Sequence, residues 1–316
     1  MKKIGLLIEI KDDEIKPANY GMITMAHGDE HQLFALVVNA DTPAYRDALS
    51  GSGVTDIVDI STPQGAWHPD EWADAVVHAM DRFGIGTLLG LTSPQGRDLL
   101  PRIAAQLDAP LVMDCLTVDL DRNVARTTQY SGKAMADIQL TGGHYIYGVR
   151  ANAVPPVPLL RTAGIHPFAA PESPASGLTV LATRPGKAGT VDLAEADVII
   201  SGGRGMKSGE NFKVLHDCAR AMGAAVGASR VAVDEGWVPY TYQVGQTGTK
   251  VNPKVYIACG ISGSVQHFAG MKSSEMIIAV NTDPDAAIIG KCDYYIIGDL
   301  FDIIPEVTRV LEGGGR

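Results

Sequence analysis

Apolar runs about the length of a β-strand recur along this chain, each closed by a turn rich in glycine, proline or polar residues. Ile4–Ile10, Leu33–Asn39 and Val54–Ile60 are predominantly apolar, the mark of strands buried on both faces. Between them, Ala18–Glu30 and Ala44–Ser50 suit helices. Trp67–Phe83 is a stronger helix, because Trp72, Val76, Ala79 and Met80 fall on one face. Thr87–Leu91 predicts the next strand, and Asp98–Leu107 a helix that stops before Ala109-Pro110. Leu116–Asp121, Val124–Tyr130, Ala134–Leu140 and His144–Arg150 predict shorter, partly antiparallel strands.

A break follows at 151–177, where Pro155, Pro156, Pro158, Pro167, Pro171 and Pro174 stand among alanines and few charges. Proline fixes φ and removes a donor, so an extended, partly stiff linker is expected. Beyond it, Leu178–Ala182 and Val198–Ile200 read as strands, and Asn211–Met222 as an amphipathic helix. Val255–Ala258, Met276–Val280 and Tyr294–Ile297 read as further buried strands. Asp299–Leu311 reads as a closing helix, with acids in its first turn and Arg309 in its last, as the helix dipole favours. This alternation predicts an α/β fold of two doubly wound, mostly parallel-sheet, Rossmann-like domains joined by a Pro/Ala-rich linker. The expected bounds are 1–150, a linker at 151–177, and 178–316.

The 316-residue length agrees with two domains, and a formal net charge of -10 argues against a general nucleic-acid binder. Cys115, Cys218, Cys259 and Cys292 show no CxxC spacing, so zinc, iron–sulfur and dithiol chemistry lack support, and no metal cluster is visible. Scattered cysteines of this kind fit a reducing compartment. Lys2 and Lys3 precede an apolar run that ends at Ile10 and meets Lys11-Asp12-Asp13-Glu14, too short for a secretory signal, and no run is long enough to span a bilayer. A cytoplasmic protein without membrane insertion is expected. The terminal Gly313-Gly314-Gly315 reads as a disordered tail.

The candidate chemistry lies between residues 199 and 300. Four turns follow strand-like runs there: Ser201-Gly202-Gly203-Arg204-Gly205, Gly227-Ala228-Ser229-Arg230, Gln243-Val244-Gly245-Gln246-Thr247-Gly248, and Gly260-Ile261-Ser262-Gly263-Ser264-Val265-Gln266-His267. Glycine lets backbone approach a ligand closely, and serine, threonine and glutamine supply uncharged donors. Such turns suit a long, polar, phosphate-bearing cofactor. Strand Val255–Ala258, its glycine turn and the following helix start could form an anion cradle, or equally a tight βα turn capped by serine. His267 stands on the first turn of that helix, where an imidazole protonated near neutral pH could stabilise negative charge on a bound ring, or could simply pack. Arg204 and Arg230 serve a ligand or surface ion pairs. Gln243, Gln246 and Thr247 form either a binding loop or an ordinary hydrophilic turn. Asn281 and Asp299 each follow a strand, at the ligand-binding edge of a parallel sheet, and Asp299 also suits a helix N-cap. In the first half Gly84-Ile85-Gly86 reads as a turn, and Thr92-Ser93-Pro94-Gln95-Gly96 as a helix cap. No nucleophile–base pair stands out, so a bound cofactor is expected to do the chemistry.

The segments Ser201–Asn211, Gly227–Arg230, Gln243–Gly248 and Tyr256–Met271 closely resemble the alpha subunit of electron transfer flavoprotein. Asn281-Thr282-Asp283-Pro284-Asp285 and Asp299-Leu300-Phe301 extend the match, and Tyr130-Ser131-Gly132-Lys133 matches more loosely. The resemblance implies an FAD held mainly by the second domain and a heterodimer with an electron transfer flavoprotein beta subunit. Because the glycine-polar turns are confined to the second domain, residues 1–150 are expected to form mainly the partner interface. The resemblance also implies FAD contacts from Arg204, Ser229, Gln243, Val244, Gly245, Gln246, Thr247, Asn281, Asp299 and Leu300. Arg230 would lie over the flavin ring, Thr247 near N5, and His267 at the pyrimidine carbonyl edge. The turn of Ser262, Gly263, Ser264, Val265, Gln266 and His267 would hold the ribityl-pyrophosphate stretch. Ser264-Val265, Phe268 and Tyr240-Thr241-Tyr242 depart from the commonest family pattern without removing a ligand.

The function implied is that of an electron carrier. It would accept electrons from a dehydrogenase of acyl-CoA type, as in fatty acid β-oxidation, and pass them to a quinone-linked oxidoreductase. The alternatives are a bifurcating electron transfer flavoprotein with NADH as donor, and a nicotinamide- or nucleotide-binding regulatory module.

Overall fold

The structure, a computed structural model, describes residues 1–130, 134–173, 177–182 and 192–313. The chain divides into two compact units, Met1–Gln129 with Met135–Gly186, and Tyr130–Ala134 with Lys187–Arg316. Pro174, residues 131–133 and Gly314-Gly315, on which some of the expectations above fall, lie outside the described residues.

The first unit runs β1 (Lys2–Leu7), β2 (Ile10–Lys11), β3 (Glu14–Ile15), α1 (Ala18–Met25), β4 (His31–Val38), α2 (Thr42–Gly51), β5 (Asp56–Ser61), α3 (Pro69–Phe83) and β6 (Thr87–Leu91). It continues through α4 (Pro94–Gln106), β7 (Leu111–Asp119), β8 (Val124–Gln129), β9 (Ala134–Gln139), β10 (Tyr145–Val149) and β11 (Gly164–Ala169). Nine of these strands form one sheet in the order β11-β5-β4-β1-β6-β10-β7-β8-β9. β1 pairs in parallel with β4 and β6, and β7 pairs antiparallel with β8. The central strands are apolar on both faces because helices cover both. Met22 and Ile23 of α1 and Tyr45 and Leu49 of α2 pack into one core. Val76 and Met80 of α3 and Leu99, Leu100 and Ile103 of α4 pack into the other, with Trp72 half-buried against it.

Helix α4 begins four residues earlier than its apolar pattern predicts. Ser93 Oγ accepts the Gly96 N–H at 2.9 Å, and Pro94 supplies a pre-set φ at the first helical position, so 92–96 is a helix cap. In this unit the strand order turns around at β1, between β4 and β6, where doubly wound sheets bind ligands. The chain fills the place itself. Glu9, 1 % exposed, takes the Ser93 hydroxyl at the start of α4 and the Lys16 Nζ at 2.8 Å.

Two linker-region expectations need correction. Residues 164–169 are a strand, β11, paired in parallel with β5 along its whole length. The stretch is extended, as its prolines require, but it is built into the sheet edge, where Pro167 is tolerated because an edge strand need not donate on both sides. Any hinge therefore lies after Ala169. Leu178–Ala182 is not a strand. Its β-prone residues pair with no strand among the described residues; Leu181 is 92 % exposed, and the Leu178 carbonyl meets His68 Nε2 at 3.3 Å.

The second unit runs β12 (Val198–Gly202), α5 (Phe212–Met222), β13 (Ala225–Ala228), α6 (Arg230–Asp234), β14 (Val255–Cys259), α7 (Val265–Met271), β15 (Met276–Asn281), β16 (Tyr294–Ile297) and α8 (Leu300–Glu312). Its sheet is wholly parallel, in the order β13-β12-β14-β15-β16. Leu215, Cys218 and Ala219 of α5, Ala232 of α6 and Ile304 of α8 share one core. Met271 of α7 packs with Val251, Ile261 and Ile288 in the other. β16 is not the buried strand its composition predicts: Tyr294, Tyr295, Ile296 and Ile297 are all exposed. It is an edge strand bonded only to β15, and α8, which follows it, packs on α5 and β15 instead. No helix among the described residues is long and apolar enough to cross a membrane.

Candidate functional site

In the second unit the chain leaves β12 for β13 on one side and then returns to β14 on the other. The turns after β12 and β14 therefore diverge at the sheet's carboxyl edge, the arrangement that opens a crevice in this strand order. The two turns are tied together at their bases. The Gly203 N–H donates to the Cys259 carbonyl at 2.9 Å and the Gly205 N–H to the Gly260 carbonyl at 3.0 Å. A Cβ on Gly205 would lie 2.7 Å from Gly260 Cα, and Gly260 itself has φ 59°. The glycines expected to admit a ligand thus serve first to let two loops touch.

A cleft of about 690 Å³ opens above this junction. Arg204 enters it from the turn after β12, and Ser229 and Arg230 from the start of α6. Gln243, Val244, Gly245, Gln246 and Thr247 form one wall, and Ser262, Ser264, Gln266 and His267 the turn after β14. Asn281, Asp299 and Leu300 come from the ends of β15 and β16. Of the expected residues, Gly263 and Val265 do not line it. Gly263, at φ 80°, turns the chain against Ile288, whose backbone nitrogen a Cβ would approach to 2.5 Å, and Val265 is half exposed.

The 243–247 wall is not an ordinary hydrophilic turn. Gln243 is 3 % exposed and its Nε2 donates to Thr247 Oγ1 at 3.0 Å. The Val244 N–H reaches the Ala228 carbonyl at 2.9 Å and the Gln246 N–H the Gln266 carbonyl at 2.8 Å, so the loop is fastened to β13 and α7. The Tyr240 hydroxyl bonds the Thr247 carbonyl. Asn281 Nδ2 donates to the Ile261 carbonyl at 3.0 Å, bracing the turn after β14. Asp299 caps α8, accepting the Phe301 N–H at 2.9 Å, and lines the cleft.

The rim is charged. Arg230 pairs with Asp234 at 3.1 Å, with both side chains mostly exposed. Asp234 went unnoticed in the sequence, although its i+4 spacing on α6 was a signal. Lys207, also missed, stands at φ 66° with Nζ 5.3 Å over the Phe301 ring. Its neighbours in a glycine-rich run gave no periodicity to read.

His267 departs from expectation. It is 5 % exposed, and its Nε2 lies 3.0 Å from the Tyr256 hydroxyl. Burial pushes its pKa down to about 4, with the Val244 backbone working weakly the other way. The ring is therefore neutral at pH 7 and acts as a hydrogen-bonding group, not as the cation its position in the sequence suggested. Its Nδ1 and the Ser229 Oγ are buried without a hydrogen-bond partner.

The family model described as "Electron transfer flavoprotein FAD-binding domain" matches residues 192–272, and "Electron transfer flavoprotein domain" matches residues 4–195. The chain belongs to the electron transfer flavoprotein alpha-subunit family. It is 34 % identical over 309 residues to a Caenorhabditis elegans protein named "Probable electron transfer flavoprotein subunit alpha, mitochondrial", covering 96 % of this chain and 93 % of that one. It is 33 % identical over 320 residues to the electron transfer flavoprotein subunit alpha of Bacillus subtilis, covering 98 % and 97 %. To that of Pseudomonas aeruginosa it is 38 % identical over 225 residues, covering 71 % and 72 %.

For an electron transfer flavoprotein alpha chain the cofactor is FAD, and the cleft fits it. Its volume lies in the range of cofactor sites. Two buried polar atoms, Ser229 Oγ and His267 Nδ1, lack partners in the wall, and buried polar groups are costly unless a ligand completes them.

Proposed function

We propose that this chain holds FAD in the cleft of its second unit and works as the alpha subunit of a heterodimer with a beta subunit. The pair would take electrons from a dehydrogenase of acyl-CoA type and deliver them to a quinone-linked oxidoreductase. When bound, the FAD supplies the redox chemistry; the chain's own residues bind and orient it. His267 and Ser229 meet acceptors on the cofactor, Arg204 and the 262–266 turn its phosphate and ribityl stretch, and Arg230 the exposed side of the ring. Gln243 and Thr247 present the loop wall, while Asn281 and Asp299 close the far end. The observation that carries this reading is the convergence of nearly every expected residue on one cleft at the sheet's switch point.

In the first unit the Glu9 carboxylate occupies the start of α4 beside β1, and we assign that unit mainly to the partner subunit. A hinge after Ala169 would let the FAD-carrying unit turn between partners.

Co-expression with a beta subunit and counting of FAD per heterodimer tests the proposal. One FAD, bleached on mixing with a reduced acyl-CoA dehydrogenase and reoxidised by a quinone-linked acceptor, is the expected result. Two FAD with rapid reduction by NADH would replace it with a bifurcating carrier. A colourless protein that binds nicotinamide nucleotides would overturn it.

A further inference from the structure

The Tyr256 hydroxyl is the partner the cleft's histidine has in the folded chain, and nothing in the cofactor reading uses it. Tyr256 lies in the middle of β14 and is 0 % exposed. Its hydroxyl and His267 Nε2 are 3.0 Å apart, and the two rings meet edge to face at 6.1 Å between centroids. Two arrangements satisfy that distance. Either the phenol donates to Nε2, or Nε2–H donates to the phenol oxygen and the phenolic hydrogen must find another acceptor. Ser201 is the buried hydroxyl beside Tyr256 and interacts with the phenol, but its Oγ makes no hydrogen bond of good geometry. Nε2 is the acceptor held at 3.0 Å, and the phenolic hydrogen goes to it. Burial also keeps the phenol protonated, raising its pKa despite Ser201.

A neutral imidazole carries one hydrogen, and the nitrogen that bears it is decided by what the other nitrogen accepts. We propose that Tyr256 is a positioning residue: by donating to His267 Nε2 it holds the ring as the Nδ1–H tautomer, so that a buried, unpartnered N–H is offered to a carbonyl-type acceptor on the cofactor. The opposite tautomer would aim a lone pair from Nδ1 at the same acceptor and repel it. Ser264 completes the arrangement by accepting the His267 backbone N–H at 3.4 Å, which seats the ring on the first turn of α7.

The inference rests on the reading that His267 meets the FAD, and the test separates the two. The protein is co-expressed with its beta subunit in 15N-histidine medium, and the His267 resonances are assigned by their loss in His267→Gln. In the FAD-loaded wild type, Nδ1 gives the protonated, pyrrole-type signal and Nε2 the unprotonated, pyridine-type signal, unchanged between pH 6 and 8. In Tyr256→Phe, which keeps the ring and removes only the hydroxyl, the two signals move toward a tautomer average, and FAD binds roughly threefold to tenfold more weakly, the loss expected for one uncharged hydrogen bond. A wild-type Nε2–H tautomer, an imidazolium signal at pH 7, or a Tyr256→Phe spectrum identical to wild type overturns the proposal. His267 signals that are the same with and without FAD, while Tyr256→Phe still shifts the tautomer, uphold Tyr256 and instead defeat the placement of His267 at the cofactor.

Discussion

Replacing Gly205 by alanine separates two explanations of the glycine-rich turns. If Gly205 is there to admit a ligand, the cofactor-free protein has no use for it. Gly205 lies outside the left-handed region, so alanine would then stabilise by about 0.4–1 kcal/mol through the unfolded chain. The structure predicts the opposite sign. The new methyl would lie 2.7 Å from Gly260 Cα and 3.2 Å from the Gly260 carbonyl oxygen, both backbone atoms that cannot rotate away. The turns after β12 and β14 must part, straining the Gly205–Gly260 hydrogen bond of 3.0 Å. Overpacking of this kind costs about 1–3 kcal/mol. At roughly 2–4 °C per kcal/mol for a chain of such size, the melting temperature of the second unit should fall by about 2–12 °C, with or without FAD. Calorimetry of the cofactor-free protein measures it, with Gly290→Ala as control, since a Cβ there meets nothing within 4 Å. A Gly205→Ala protein as stable as wild type without FAD, or more so, would refute loop-on-loop packing as the reason for this glycine.

Three further outcomes follow from the same geometry. His267, held neutral with a pKa pushed down to about 4 against 6.5 when unfolded, binds fewer protons in the fold, so its contribution is present above pH 6.5 and is lost as pH falls toward 4. The loss amounts to about 3 kcal/mol over that window, and urea unfolding at pH 7 and 4.5 should show a smaller pH dependence in His267→Gln than in wild type. Ser229→Ala removes a buried hydroxyl that has no partner without cofactor, so the cofactor-free protein should keep or gain up to about 1 kcal/mol in chemical denaturation while equilibrium dialysis shows weaker FAD binding. Arg230→Ala breaks an exposed i,i+4 pair with Asp234 and should change stability by less than about 0.5 kcal/mol, yet spectroelectrochemistry should show the flavin potential lowered by up to about 40 mV, the equivalent of 1 kcal/mol for one electron; an unchanged potential would remove Arg230 from the ring.

The sequence by itself determined the layer architecture and most of the residues that line the cleft. Near-unbroken apolar strands such as Leu33–Asn39 announce burial on two faces, and the helical stripe of Trp67–Phe83 announces its covered side, because both signals are local periodicities. The turns after β12, β13, β14, β15 and β16 were legible in the same way, since polar residues that follow a buried strand have no packing duty. What the tertiary structure alone decided depends on partners distant in the chain. The 164–169 stretch becomes a strand because β5 lies free beside it, whereas Leu178–Ala182, with better β-forming residues, finds no edge. Tyr294–Ile297 is as apolar as any core strand but ends the sheet, and strand order is a property of the whole fold. The charge of His267 was unreadable for the same reason. Protonation depends on the water that folding removes around the ring, and the groups the ring meets instead, the Tyr256 hydroxyl and the Val244 backbone, lie eleven residues before it and in a separate loop.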